Sequence, residues 1–213
     1  MKKWLMLLLM GLLLFGVAGC GDDEPGETDD PNDEVELDPE LPAEYAGMAE
    51  GDVFITSIGQ SADLDTIWNL LSNVYDNDNE ALEADVEMDA LLEANQVEAG
   101  SVVLLVPGAS SKGMGAAGTD QAAEENRAEA FAARAQAGEI TIITMHTGGM
   151  QRRGVESDPL IEASMAESEL TLITNGGNDD DFFSELAEEY DRPLYVYSGT
   201  AQLIPPLRTI FSR

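Results

Sequence analysis

Short apolar runs alternate with longer amphipathic stretches along the chain after residue 50. The runs are rich in Val, Ile, Leu and Thr and predict strands at residues 53–56, 101–106, 140–145, 170–174 and 194–197, with a weaker one at 84–88. Most of them are apolar at successive positions, so both of their faces are expected to be buried. Such strands are typical of a parallel sheet that is covered on both sides.

The stretches between these runs predict helices. We place them at residues 61–74, up to about 95, at 119–137, from 158, from 178 to 190, and after the Pro205-Pro206 pair. In the first of them Leu64, Ile67 and Leu71 share one face. Asp158 and Asn178 are polar residues that suit the start of a helix.

This alternation predicts an α/β fold. Right-handed crossovers give a doubly wound, mostly parallel sheet of five or six strands, a flavodoxin-like, Rossmann-like three-layer sandwich with strand order 2-1-3-4-5 as first choice. Residues 51–213 are predicted to form a single domain. Ligands of such sheets bind at the carboxyl ends of the strands, so the loops there are expected to carry the function.

The N-terminus predicts export. Lys2 and Lys3 precede an apolar run over residues 4–15, and the sequence Val-Ala-Gly-Cys at 17–20 resembles a bacterial lipobox. Residues 1–19 are therefore predicted to be a signal peptide, and Cys20, the only cysteine, to be lipidated. Residues 20–50 are acidic and poor in apolar side chains, which predicts a disordered tether. The protein is expected at the outer face of the bacterial cell membrane, held by its lipid alone.

The charge of the chain limits its partners. The formal net charge is −32, with 42 acidic and 10 basic residues. Such a surface repels nucleic acid and anionic headgroups, so neither is expected to bind. It also suits a cell that lives in high salt, where screening weakens repulsion between like charges.

Four predicted loops at the carboxyl edge hold the polar residues of interest. They span residues 57–63, 108–118, 146–154 and 175–178. The loop at 108–118 is expected to present backbone N–H groups to an anion, and it contains the only lysine outside the signal peptide. The candidate ligand-binding residues are Ser57, Gln60, Ser61, Ser110, Ser111, Lys112, Gly113, Gly115, His146, Gly148, Gly149, Arg152 and Arg153.

Three motifs in these loops suggest a family. They are Ser-x-Gly-Gln-Ser-Ala-Asp at 57–63, Ser-Ser-Lys-Gly-x-Gly-Ala-Ala-Gly at 110–118, and His-x-Gly-Gly-x-x-Arg-Arg-Gly at 146–154. Together they resemble an uncharacterised family of small exported α/β proteins of anaerobic bacteria, classed as a domain of unknown function. The resemblance covers the whole of the predicted domain. It implies that the three loops belong together, and it implies no activity.

The leading hypothesis is a binding module for a small anionic ligand, phosphate-bearing or carboxylate-bearing. Lys112 and one of the adjacent Arg152 and Arg153 are expected to face the crevice, because neighbours on extended backbone point opposite ways. No cofactor is expected. The Gly-x-Gly-x-x-Gly at 113–118 stands too far from its strand for a dinucleotide fingerprint, and the order of residues around Lys112 does not fit a P-loop.

Two alternatives stay open. The first is a hydrolase or phosphoryl-transfer enzyme in which His146 acts with Ser110 or Ser111 and Asp63 orients the imidazole. No Gly-x-Ser-x-Gly elbow supports it. The second is a structural or partner-binding lipoprotein, in which His146 merely ties down Gly148 and Gly149. A metal site is not expected, since His146 is the only histidine and Asp63 the only nearby carboxylate in the loops.

Overall fold

The centre of the fold is a parallel sheet, seen in a computed structural model that describes residues 38–75 and 79–212. Within that part of the chain the sheet has six strands in the order β2-β1-β3-β4-β5-β6, and every neighbouring pair is parallel. The strands are β1 (Val53–Ile58), β2 (Val86–Met88), β3 (Val102–Pro107), β4 (Thr141–His146), β5 (Leu170–Thr174) and β6 (Leu194–Tyr197).

Helices connect these strands. They are α1 (Asp63–Asn73), α2 (Ser111–Ala117), α3 (Gln121–Gln136), α4 (Asp158–Met165), α5 (Phe182–Tyr190) and α6 (Ile204–Ile210). Single 3-10 turns at Met150–Arg152 and Asn175–Gly177 shape the loops after β4 and β5. Among the described residues, no helix is both long and apolar enough to cross a bilayer.

Two apolar layers hold the sheet between helices. One layer packs α1 and α6 against the sheet and includes Ile67, Leu104 and Leu207. The other layer packs α3 and α4 against the opposite face and includes Phe131 and Leu160. The predicted three-layer α/β sandwich is therefore confirmed, with the flavodoxin-like strand order extended by β6.

Local signals set several helix starts. Asp120 accepts a hydrogen bond from the backbone N–H of Ala123 at 2.9 Å and so caps α3. Asn178 lies before α5, and its side-chain oxygen accepts from the N–H of Phe183 at 2.9 Å. The last helix begins at Ile204 and not after the two prolines, because proline fits the first turn, where no N–H partner is needed.

The structure differs from the predicted tether over residues 38–50. Apolar side chains there pack against the α6 side of the core, and the Tyr45 ring meets Tyr195 edge to face at 6.0 Å. Asp38 accepts hydrogen bonds from the N–H and the hydroxyl of Ser198, at 2.5 and 2.9 Å, at the end of β6. The tether prediction missed these scattered apolar residues among the acidic ones. The predicted signal peptide, Cys20 and residues 21–37 lie outside the described residues.

Candidate functional site

The loops after β1, β3, β4 and β5 meet at the carboxyl edge of the sheet. The N–H of Gly108 donates to the carbonyl of Ile58, and the N–H of Ser110 to that of Gly59, both at 2.8 Å. On the other side, the Thr174 hydroxyl donates to the carbonyl of Thr147 at 3.2 Å. The meeting of these loops follows from the parallel sheet, since all four strands end at one edge.

The β1 loop, to which the β3 loop is hydrogen-bonded, is fixed by a buried ion pair that the sequence did not reveal. Glu124 and Arg127 of α3 lie 2.5 Å apart, and Glu124 also accepts from the N–H of Gly59 at 2.6 Å. Arg127 donates to the Thr56 hydroxyl at 3.1 Å and to the carbonyl of Ser57. We call residues 59–62 and 108–110, with Glu124 and Arg127, the locked half. Helical spacing from Phe131 was the signal that could have placed both charges on the buried face of α3.

Glycines let these loops approach one another closely. A Cβ added to Gly113 would lie 2.2 Å from the Gln60 carbonyl oxygen, and one added to Gly148 would lie 2.4 Å from the Arg152 side chain. At Gly177 it would lie 2.7 Å from the Gly148 carbonyl oxygen. These distances are too short for any side chain. The glycines therefore serve packing between the loops.

The expected anion-binding loop at 108–118 is for the most part helix α2, which corrects that prediction. The Ser110 hydroxyl caps the helix by accepting from the N–H of Gly113 at 3.1 Å, and the N–H of Met114 donates to the Ser110 carbonyl at 2.8 Å. Gly118 ends the helix in the left-handed conformation, with φ of 75°. Backbone N–H groups expected to bind an anion are thus used by the helix itself.

Asp63 and His146 form the centre of the remaining part of the edge. Asp63 is the first residue of α1, and its Oδ2 lies 3.8 Å from His146 Nδ1. His146 Nδ1 lies 2.9 Å from the carbonyl oxygen of Pro107. Because a carbonyl can only accept, Nδ1 carries the proton and Nε2 keeps its lone pair. The imidazole is fully buried, with its ring centre 5.1 Å from that of Phe183.

Several buried polar atoms here lack a partner. Within residues 38–75 and 79–212, no hydrogen bond reaches Asp63 Oδ2, His146 Nε2, Thr147 Oγ1 or the hydroxyl of Ser57 on β1. An unsatisfied buried polar group costs about 1–3 kcal/mol, so four of them at one edge need an explanation. We call Asp63, His146, Thr147, Gly148 and Arg152 the open half.

Burial shifts both ionisable groups toward their neutral forms. It raises the pKa of Asp63, an effect that His146, Arg152 and the Gly148 backbone partly offset. It lowers the pKa of His146, although the Pro107 carbonyl and Asp63 favour the charged imidazole. His146 is thus neutral near pH 7. In the described part of the chain, no cluster of three His, Cys, Asp or Glu side chains suits a metal ion.

The two adjacent arginines have different roles. The Arg153 side chain is 3% exposed and is bound to Asp158 at 2.8 Å and to Asp180 at 3.0 Å, with its guanidinium 3.8 Å from the centre of the Phe182 ring. The Arg152 side chain is 34% exposed, and its closest carboxylate is Asp63, with Nε 4.0 Å from Oδ1. The Arg152 guanidinium donates no hydrogen bond to any described residue. Arg152 is therefore the arginine that remains available to a ligand.

The other predicted site residues are spread over the same edge. Gln60 donates to the carbonyl of Ala90 at 2.9 Å, and Ser61 accepts from the N–H of Asp63 at 3.3 Å. Gly149 lies beside Gly176, where a Cβ on the latter would be 3.8 Å from its Cα. Lys112 and Gly115 are exposed on α2.

The two candidate serine nucleophiles are engaged elsewhere. Ser110 caps α2, and the Ser111 hydroxyl donates to Glu156 at 2.8 Å. His146 Nδ1 is hydrogen-bonded to the carbonyl of Pro107, and no serine of the described chain lies within hydrogen-bond reach of the base nitrogen Nε2. This arrangement gives the serine hydrolase alternative no support.

Sequence comparison places this edge within a known family. The chain matches the family described as Domain of unknown function (DUF6305) over residues 50–211. It belongs to that family. The DUF6305 region contains all the described strands and all four loops, in agreement with the resemblance that the three motifs indicated. No curated protein and no solved structure matches the chain.

Proposed function

We propose that this DUF6305 domain binds a small ligand of low net charge through one anionic group, phosphate or carboxylate, at the open half. The observation that carries the proposal is Arg152. It is a cation at the carboxyl edge where the four loops meet, one-third exposed and with no hydrogen-bonded acceptor among the described residues. A guanidinium in this state offers paired N–H donors that fit a carboxylate or a phosphate.

The surroundings favour a weakly charged ligand. The net charge of −32 repels strongly anionic molecules at long range, whereas a local cation attracts one anionic group at short range. We assign Lys112 a supporting role, because the Ser111 hydroxyl joins α2 to Glu156, in the segment just after the two arginines. Lys112 is proposed to contribute less than Arg152, because the negative charge of Glu156 partly offsets the positive charge at this end of α2.

We further propose that the protein is exported and anchored to the outer face of the cell membrane by lipid on Cys20. The basis is the basic start, the apolar run and the lipobox-like residues 17–20. Changing Cys20 to Ser should move the protein from the membrane fraction to the soluble fraction. Retention of the variant in the membrane would contradict lipidation.

The binding proposal is tested with a thermal-shift screen of the full-length chain. The probes are inorganic phosphate and small carboxylate-bearing or phosphate-bearing metabolites, and each hit is measured by calorimetry. Arg152→Gln should weaken binding about tenfold to a hundredfold, since a charge-assisted hydrogen bond contributes about 1.5–3 kcal/mol. Lys112→Gln should weaken it less.

Arg208→Gln on α6 is the matched control, because Arg208 is an exposed arginine away from the open half. It should leave binding unchanged. A ligand whose affinity is the same for the wild type, Arg152→Gln and Lys112→Gln would place the site elsewhere.

A further inference from the structure

Asp63 and Arg152 present opposite charges side by side at the carboxyl edge of the sheet. Their closest atoms, Oδ1 and Nε, are 4.0 Å apart, which is too long for a hydrogen bond. We propose that the ligand is a zwitterion with adjacent charges, such as an α-amino acid, whose carboxylate binds Arg152 and whose ammonium group binds Asp63. This inference rests on the proposed function and specifies its ligand class.

The surroundings of Asp63 show which oxygen is left for a ligand. Oδ2 is enclosed, since a Cβ on Gly148 would lie 2.9 Å from it, one on Gly108 would lie 3.7 Å from it, and His146 Nδ1 is 3.8 Å away. Oδ1 lies 4.0 Å from Arg152 Nε, and no side-chain hydrogen bond from the described residues reaches it. An ammonium group supplies N–H donors and a positive charge, the two things that a largely buried carboxylate lacks.

Arg152 completes the pair. Its guanidinium donors have no acceptor among the described residues, and a ligand carboxylate would supply two acceptor oxygens in the matching plane. In an α-amino acid the carboxylate and the ammonium group are separated by a single carbon. A ligand of this shape can therefore meet neighbouring charges that do not fully satisfy each other.

The total charge of the protein agrees with this class of ligand. A zwitterion carries no net charge, so the field of a chain with net charge −32 does not oppose its entry. A simple anion would meet Arg152 but would also face the Asp63 carboxylate. The presence of Asp63 beside Arg152 thus favours a zwitterion over a simple anion.

Three matched pools test the proposal on the full-length chain. They are the free α-amino acids, their N-acetyl derivatives, which keep only the carboxylate, and their amides, which keep only the ammonium group. The free amino acids should raise the melting temperature, and neither derivative pool should do so. For the best binder, Asp63→Asn and Arg152→Gln should each raise the Kd about tenfold to a hundredfold. Asp65→Asn, an exposed carboxylate on the same helix, is the control and should leave the Kd unchanged.

The outcomes separate this inference from the proposed function. Binding of the N-acetyl pool that depends on Arg152 but not on Asp63 would overturn the zwitterion and leave an anion site. If no amino acid binds while phosphate or a simple carboxylate does, the zwitterion again fails alone. If no pool binds and the anion screen is also negative, both proposals fail.

Discussion

The two halves of the carboxyl edge both bury charge, but they treat it differently. In the locked half, Glu124 and Arg127 are 2.5 Å apart and share further hydrogen bonds with the β1 strand and loop. In the open half, Asp63 and Arg152 are 4.0 Å apart, and neither side chain is hydrogen-bonded to the other. Buried charges that are fully hydrogen-bonded stabilise the loops, whereas the buried Asp63 and the partly exposed Arg152 keep polar groups that a ligand can bind.

Removing the Glu124–Arg127 ion pair of the locked half should have the largest effect on the free energy of unfolding. Arg127→Met leaves Glu124 buried without its cation and should lower the free energy of unfolding by about 3–5 kcal/mol, as measured by urea denaturation. Arg208→Met removes an exposed arginine and should change stability by less than about 0.5 kcal/mol. Equal stability of the two variants would show that the Glu124–Arg127 pair does not stabilise the fold.

Two glycines in α2, one packed against the locked half and one open to solvent, are expected to respond to alanine substitution with opposite changes in stability. Gly113 lies against the Gln60 carbonyl, so Gly113→Ala should destabilise the protein by about 1–3 kcal/mol. A Cβ on Gly115 would meet no atom within 4 Å, so Gly115→Ala should stabilise it by about 0.5–1 kcal/mol through better helix propensity. Urea titration of both variants checks the opposite signs. Loss of stability in both would mean that α2 is held by something other than its contact with the β1 loop.

The smallest change in the free energy of unfolding is expected for substitution of Asp63. Burial raises its pKa from the usual 3.8, so ionisation costs stability as the pH rises through the folded-state pKa. Asp63→Asn removes this cost and should be slightly more stable than wild type at neutral pH. The gain should disappear as the pH falls below about 4, where the wild-type carboxyl is protonated in both states. Chemical denaturation over pH 3–8 measures it, and a loss of stability at neutral pH would contradict the assignment.

Most of the sheet could be predicted from sequence because its central strands are short apolar runs rich in Val, Ile, Leu and Thr. The edge strand β2 contains Glu87 and gives a weaker signal. Helix α2 could not be predicted, because Gly113 and Gly115 each disfavour a helix by about 1 kcal/mol relative to alanine. The cap by Ser110 and the packing of Gly113 on Gln60 outweigh that cost. Only the second contact depends on a distant part of the chain, and no local pattern reveals it.

For the site, the loops that meet could be predicted from the sequence, but the contacts of each side chain could not. The parallel topology alone implied that Asp63, His146 and Arg152 would share an edge. It could not distinguish Arg152 from Arg153, because the difference comes from where Asp158, Asp180 and Phe182 lie in space. The burial of Glu124 and Arg127 was not predicted, because their partners Gly59, Thr56 and Ser57 are distant in sequence and no local motif marks the contact.

The close packing at the glycines distinguishes positions that tolerate substitution in this domain from positions that do not. Any side chain at Gly113, Gly148 or Gly177 would collide with a neighbouring loop, so mutation at these positions disrupts the packing of the loops. The Arg152 side chain is partly exposed and forms no hydrogen bond with a described residue, so other residues can replace it at little structural cost. A new ligand preference could therefore evolve by substitution at position 152, with the surrounding loops left intact.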